Sequence, residues 1–164
     1  GAGKTTVGRR LAARLKRPFL DSDEEIEKAA QMTIPEIFEQ RGEAEFRAGE
    51  TRVIARVLKT QNVVLATGGG AFVHPETRAL VKQQAVSVWL KAEIDILFER
   101  GSRRSNRPLL KTANPRATLE KLIEDRYPIY AEADVTVLSR DVPQDAVAAD
   151  VVDAVLAFLK QQEK

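Results

Sequence analysis

Gly1-Ala2-Gly3-Lys4-Thr5-Thr6 opens the chain, and the reading of this stretch decides the fold. It matches the tail of the pattern G-x-x-x-x-G-K-[ST], a loop whose backbone N–H groups turn inward around phosphate oxygens. Glycines serve there because a side chain would block the approach. On this reading Gly1, Ala2, Gly3, Lys4, Thr5 and Thr6 hold nucleotide phosphates, Lys4 brings a mobile positive charge, and the Thr5 hydroxyl is the expected magnesium ligand. Val7, Leu11 and Leu15 recur at i, i+4 and i+8, which predicts a helix from about Lys4 to Lys16 aiming its positive end at the same phosphates. The stretch also reads as a flexible terminus ahead of an amphipathic helix, so the rest of the chain must decide. The first glycine of the pattern, and the strand that normally feeds it, would lie ahead of Gly1. The sequence is therefore expected to be N-terminally truncated, without a strand central to its sheet. As a 164-residue polypeptide it is expected to fold poorly and be inactive.

Working outward, Phe19-Leu20-Asp21 predicts a short strand and Glu24 to Gln31 a helix. Thr33-Ile34-Pro35-Glu36 predicts a helix start, with proline in the first turn. Gly42 breaks the chain, and Glu43 to Lys59 is a long helical pattern. Val63-Val64-Leu65-Ala66 is an unalternating apolar run, as in a parallel strand covered on both faces, and Gly68-Gly69-Gly70 stops it. Pro75 to Gln83 reads as helix, Val86 to Leu90 as strand and Glu93 to Arg100 as helix. Gly101 to Pro115 is polar, arginine-rich and broken by prolines, hence a long loop. Arg116 to Arg126 predicts a helix, Val135 to Val137 a strand, and Ala146 to Leu159 a last helix. Strands alternating with helices predict an α/β fold with a parallel sheet, in a single domain spanning residues 1–164.

Composition narrows the function. Hydrophobic residues are 43% and charged residues 30%, which excludes a disordered chain. There is no cysteine, which excludes disulfides and thiolate-bound zinc. Lys+Arg at 26 against Asp+Glu at 24 leaves a net charge of +2, no footprint for nonspecific nucleic-acid binding. No charge-free apolar run has the length of a membrane span.

Several residue groups then carry chemistry. Asp21 and Asp23 are two apart at a strand's end and point to one side if the extended geometry persists, where they would serve magnesium and a substrate hydroxyl. Their competing reading is helix capping, with Ser22 and Glu25 as a capping box. Glu43, Arg47 and Glu50 share one helix face, either as a solvated ion-pair ladder or as an arginine held by carboxylates to grip an anion. Phe38 and Phe46 could wall the same pocket but fit a core as isolated aromatics. The glycine triplet reads as a loose turn or as a close approach of ligand to backbone. Arg100, Arg103, Arg104 and Arg107 form either a solvated basic loop or a lid bringing positive charge to a transferring phosphoryl group. Arg126 precedes Tyr127-Pro128-Ile129-Tyr130 at a helix end, where its competing reading is a complement to the helix dipole. His74 reads as a surface residue and Trp89 as core.

Taken in order, GAGKTT, FLDSD at Phe19–Asp23, EFRAGE at Glu45–Glu50, LATGGG at Leu65–Gly70, RPLL at Arg107–Leu110 and RYPIY at Arg126–Tyr130 resemble the shikimate kinase family, from Gly1 to about Val137. The resemblance implies a three-layer P-loop kinase fold like that of nucleoside-monophosphate kinases, with a five-stranded parallel sheet in the order 2-3-1-4-5 and the first strand absent from this chain. It implies ATP-dependent phosphorylation of the 3-hydroxyl of shikimate, a step of aromatic amino-acid synthesis, by a cytoplasmic monomer with no nucleic-acid or membrane partner. Residue by residue, it makes Lys4, Asp23 and Arg107 catalytic. Gly1 to Thr6, Arg100 and Arg107 bind nucleotide. Asp23, Arg47, Gly69, Gly70 and Arg126 bind shikimate, and Thr5 and Asp21 serve Mg²⁺. The shikimate-binding part is expected at about residues 23–50 and the lid at about 101–115, with Arg140 loosely near the adenine. Ala66 departs from relatives that carry a hydroxyl or acid there, and Thr67 is the expected partial substitute. The competing expectations are another small-molecule kinase of the same fold, gluconate-type or acting on nucleoside monophosphates, and a non-catalytic domain that keeps only the fold.

Overall fold

The computed structural model describes residues 4–60, 62–91, 115–138 and 143–162. Ten elements follow in order. They are α1 (Lys4–Leu15), β1 (Phe19–Asp21), α2 (Ser22–Ala30), α3 (Ile34–Thr60), β2 (Val64–Ala66), α4 (Pro75–Gln84), β3 (Val88–Lys91), α5 (Pro115–Tyr130), β4 (Val135–Leu138) and α6 (Gln144–Gln162). The alternation of strand and helix is the α/β pattern expected. The helix expected at Glu93 to Arg100, together with Arg103, Arg104, Arg107 and Arg140, lies outside the described residues.

The chain divides into two compact units, Gly8–Ser87 and Gly1–Val7 with Val88–Lys164. In the first, β1 and β2 pair in parallel, with Phe19 opposite Val64, Leu20 opposite Leu65 and Asp21 opposite Ala66. Helix α3 packs on α2 and α4. Ile26 of α2 and Ile37, Phe46, Val53 and Val57 of α3 make the core, with Leu20, Met32, Ile34 and Leu65 against it. Phe46 is thus core, as expected, and Phe38 stacks on it at 4.7 Å between ring centroids while remaining more exposed. At Gly8 on α1, a Cβ would lie 2.7 Å from Cε2 of the Phe19 ring, so glycine lets helix and strand approach there. In the second unit β3 and β4 pair in parallel, Val88 opposite Val135 through Lys91 opposite Leu138. Strand β4 buries Val135 and Val137 and exposes Thr136 and Leu138. Helix α6 packs on β4 and buries Val147, Ala148, Val151, Val152 and Val155. Trp89 of β3 meets Tyr127 of α5 edge-on at 4.9 Å and lies 5.8 Å from Tyr130, a packing role as expected.

The structure corrects several expectations. Strand β1 ends at Asp21, and α2 begins at Ser22, so the extended geometry does not carry on to Asp23. Strand β2 is half-buried at Val64 and Leu65 and buried only at Ala66, not covered on both faces throughout. Pro115, placed at the end of the long loop, is instead the first residue of α5, because proline fits a helix's first turn. That helix also runs four residues beyond Arg126 to Tyr130, with Pro128 inside it. The break at Gly42 is present: its φ of 84° and ψ of 170° interrupt α3, and glycine alone adopts such a φ without strain. None of the helices among the described residues is long and apolar enough to cross a membrane.

Candidate active site

In the Gly8–Ser87 unit, the pairing of Asp21 with Ala66 puts the carboxyl ends of β1 and β2 side by side. Beyond the first lies the start of α2, and beyond the second the glycine triplet. In parallel α/β sheets that end is where ligands bind.

Asp21 caps α2. Its Oδ1 accepts the Asp23 N–H at 2.8 Å, from a β-region φ and ψ of −112° and 126°. Capping is therefore real, but its residue is Asp21 and not the expected Ser22. Ser22 is fully buried, and its Oγ has no hydrogen-bond partner among the described residues. Asp23 falls in the first helical turn, half-buried. Its carboxylate lies against the glycine loop: a Cβ on Gly68 would stand 3.6 Å from Asp23 Oδ1 and 3.8 Å from Oδ2. The loop closes as a turn in which Ala71 N–H donates to Gly68 C=O at 3.2 Å.

Arg47 projects from α3 to the same loop. A Cβ on Gly70 would meet its guanidinium, 2.7 Å from Cζ and 2.8 Å from Nη1, and closer still to Nη2. Gly70 is not in the left-handed region that favours glycine, so it is glycine for want of room beside the guanidinium. Arg47 Nη1 donates to Glu50 Oε1 at 2.8 Å, Nε is 4.0 Å from Glu43 Oε1, and Cζ lies 5.0 Å over the Phe46 ring. The two carboxylates differ sharply: the Glu43 side chain is 73% exposed and the Glu50 side chain 1%. The solvated ladder thus describes Glu43 alone. Burial pushes the Glu50 carboxyl above the usual carboxylate range, against the pull of the Arg47 hydrogen bond and charge; Asp23 adds to the rise and His74 opposes it. His74 is half-buried at the N-terminus of α4, without a side-chain cap bond, rather than plainly on the surface.

Asp23, Arg47 and Gly70 therefore meet in one unit, and Gly69 is the exposed residue of the same turn. Thr5 and Thr6 are exposed in the first turn of α1, which Lys4 opens. Arg126 is half-buried on α5, in the other unit. Gly1, Ala2, Gly3, Arg100 and Arg107 lie outside the described residues. Gly68 was not among the expected site residues, although it heads the triplet. Its contact with Asp23 follows from α2 starting one residue after the strand, a detail that local pattern does not encode.

A family model described as shikimate kinase matches residues 1–156. A shikimate kinase from Bradyrhizobium diazoefficiens is 56% identical over 159 residues, covering 97% of this chain and 77% of that one. The solved structure of a shikimate kinase from Acinetobacter baumannii in complex with shikimate superposes with a TM-score of 0.88 at 41% identity, covering 95% of this chain and 88% of that one. A gluconokinase structure from Sinorhizobium meliloti reaches a TM-score of 0.67 at 16% identity, over 99% and 90% of the two chains, a likeness of fold alone. Where the fold is shared more widely than the motifs, it is the motifs and the identity that discriminate, and by both the chain belongs to the shikimate kinase family.

Proposed function

We propose that this chain transfers the γ-phosphoryl group of ATP to the 3-hydroxyl of shikimate. The observation that carries the reading is the packing of the Arg47 guanidinium on Gly70, in a unit where the Asp23 carboxylate lies on Gly68 of the same turn. A fork of donors and an acceptor on one short loop suit a small ring that carries both a carboxylate and hydroxyls. Arg47 grips the carboxylate, while Asp23 orients the reacting hydroxyl and accepts its proton late, since phosphoryl transfer needs alignment and charge neutralisation more than a strong base. Gly69 and Gly70 offer backbone to the substrate, and Arg126 adds a second cation for its carboxylate. Gly1 to Thr6 cradle the nucleotide phosphates, Lys4 and Arg107 supply positive charge to the transferring group, and Arg100 flanks the adenine. The shikimate-binding part covers about residues 23–50, and the segment at about 101–115 acts as the lid.

Mg²⁺ fits the donors present. Thr5 and Asp21 are hard oxygen donors of the kind magnesium takes. Magnesium keeps waters and takes substrate phosphates as ligands, so few protein donors are needed. When bound, it supplies charge neutralisation at the β- and γ-phosphates. Thr5 would hold it directly and Asp21 through water. A net charge of +2 gives no footprint for nonspecific nucleic-acid binding, and the partners proposed are the small molecules shikimate and ATP. The resemblance to shikimate kinases is what supports a cytoplasmic monomer.

The test is ADP release by the full-length protein with shikimate, gluconate and nucleoside monophosphates as acceptors, with and without Mg²⁺. Turnover is expected with shikimate and the metal together. Asp23→Asn is expected to lower kcat by about 10²–10⁴, the range for loss of a positioned acid–base group, with the KM for ATP little changed. Near-normal turnover in that variant would remove Asp23 from the mechanism. A preference for gluconate would restore the competing kinase.

A further inference from the structure

Behind Arg47 lies a pair of hydroxyls for which phosphoryl transfer has no direct use. Thr51 Oγ1 donates to the Arg47 carbonyl, one turn back on α3, at 3.0 Å. The same oxygen lies 2.7 Å from Thr77 Oγ1 on α4. A hydroxyl has one hydrogen to give. Because the Arg47 carbonyl can only accept, the Thr51 hydrogen is committed to it, and the short contact to Thr77 must run the other way. Thr77 donates to Thr51, and Thr51 donates to Arg47. Thr77 is fully buried, so its hydroxyl has no recourse to water.

This relay joins the two segments that define the Arg47 position. Thr77 stands in the first turn of α4, which begins at Pro75, shortly after the turn from Gly68 to Ala71. At Gly70 there is no room even for a methyl group beside the guanidinium. A small slide of α3 along α4 would therefore move the Arg47 fork against the loop. Interlocked apolar side chains seat the two helices, and a short, directional hydrogen-bond chain adds a further constraint on their register.

We propose that Thr77, acting through Thr51, is a positioning residue that sets the Arg47 guanidinium for the substrate's carboxylate. The proposal rests on the reading of Arg47 as that carboxylate's partner. Thr77→Val keeps the volume and removes the donor. It is expected to raise the KM for shikimate about threefold to tenfold, the span of one neutral hydrogen bond, with kcat and the KM for ATP within about twofold of wild type. Thr77→Ser, which keeps the hydroxyl, is expected to restore the wild-type KM. The double variant Thr51→Val with Thr77→Val leaves no buried hydroxyl orphaned, so its thermal midpoint should stand near wild type while its KM for shikimate stays raised. A second measurement needs no turnover: the Arg47 Nε–H resonance in the ligand-free protein is expected to broaden or shift in Thr77→Val and to return in Thr77→Ser. An unchanged KM for shikimate with an unchanged resonance overturns the proposal. So does a loss of kcat and of both KM values that follows the thermal midpoint, which marks a merely structural role. A perturbed Arg47 resonance without any shikimate-dependent turnover in wild type would keep the relay and remove the functional reading instead.

Discussion

A Cβ on Gly70 would sit 2.7 Å from Cζ and 2.8 Å from Nη1 of Arg47, and the atoms it meets are the far end of a long, flexible side chain. That combination predicts an uncoupling of stability from function. In Gly70→Ala the guanidinium can swing away at little cost to the fold, so the thermal midpoint is expected to stay within about 4 °C of wild type, the shift that ~1 kcal/mol brings in a domain this size. The same swing removes charge-assisted bonds to the substrate carboxylate, and the KM for shikimate is expected to rise about 10- to 150-fold, equivalent to ~1.5–3 kcal/mol. Steady-state kinetics and a melting curve on one preparation decide it; a large stability loss with normal KM would mean that Gly70 serves the fold. Much of this site was legible at the level of single residues. The i, i+4, i+7 spacing of Glu43, Arg47 and Glu50 fixed their shared face. Their unequal burial was not legible, because helix periodicity says which residues share a face but not what packs over one end of it.

Helix α2 shows the same division among elements. A short strand, FLD, and a following helix were readable from Phe19-Leu20-Asp21 and the acidic run after it. The side to which Asp23 points was not, because it depends on the residue at which alternation with period 2 gives way to helical period. The cap decides that residue: Asp21 Oδ1 accepts the Asp23 N–H, which turns the chain one step earlier than a Ser22 cap would. Asp21 consequently serves the helix as well as the proposed magnesium ion, and two substitutions separate these roles. Asparagine caps as well as aspartate, so Asp21→Asn is expected to keep the thermal midpoint while raising the Mg²⁺ concentration needed for half-maximal rate. Asp21→Ala loses the cap too, and is expected to cost about 1 kcal/mol in addition. Urea unfolding of both variants, with magnesium titrations of the rate, checks this; equal metal dependence in wild type and Asp21→Asn would leave Asp21 with the cap alone.

Across the whole molecule, alternation of apolar strands and amphipathic helices made the α/β class readable, while strand pairing was not. Phe19 pairs with Val64 and Val88 with Val135, partners so far apart in sequence that no local pattern joins them. Long-range folding likewise brings Asp23 and His74 to Glu50, beside its helix neighbour Arg47, and their balance leaves a trace in global stability. Burial acts most strongly and raises the Glu50 pKa, so between its unfolded and folded values the native state holds a proton that the unfolded chain has lost. Stability from this group is then complete at low pH and declines as pH rises through that window. The sign is opposite to that of a solvent-exposed carboxylate in an ion pair, whose contribution grows with pH. Glu50→Gln cannot titrate, so the stability of wild type minus that of the variant isolates the group from every other carboxylate. That difference is expected to fall as pH rises from mildly acidic to neutral, read from urea midpoints at a series of pH values. A difference that instead rises would mean that the attraction of Arg47 outweighs the cost of burying the charge, and that Glu50 is held in the protein as an ion because the pair favours it and not in spite of its surroundings.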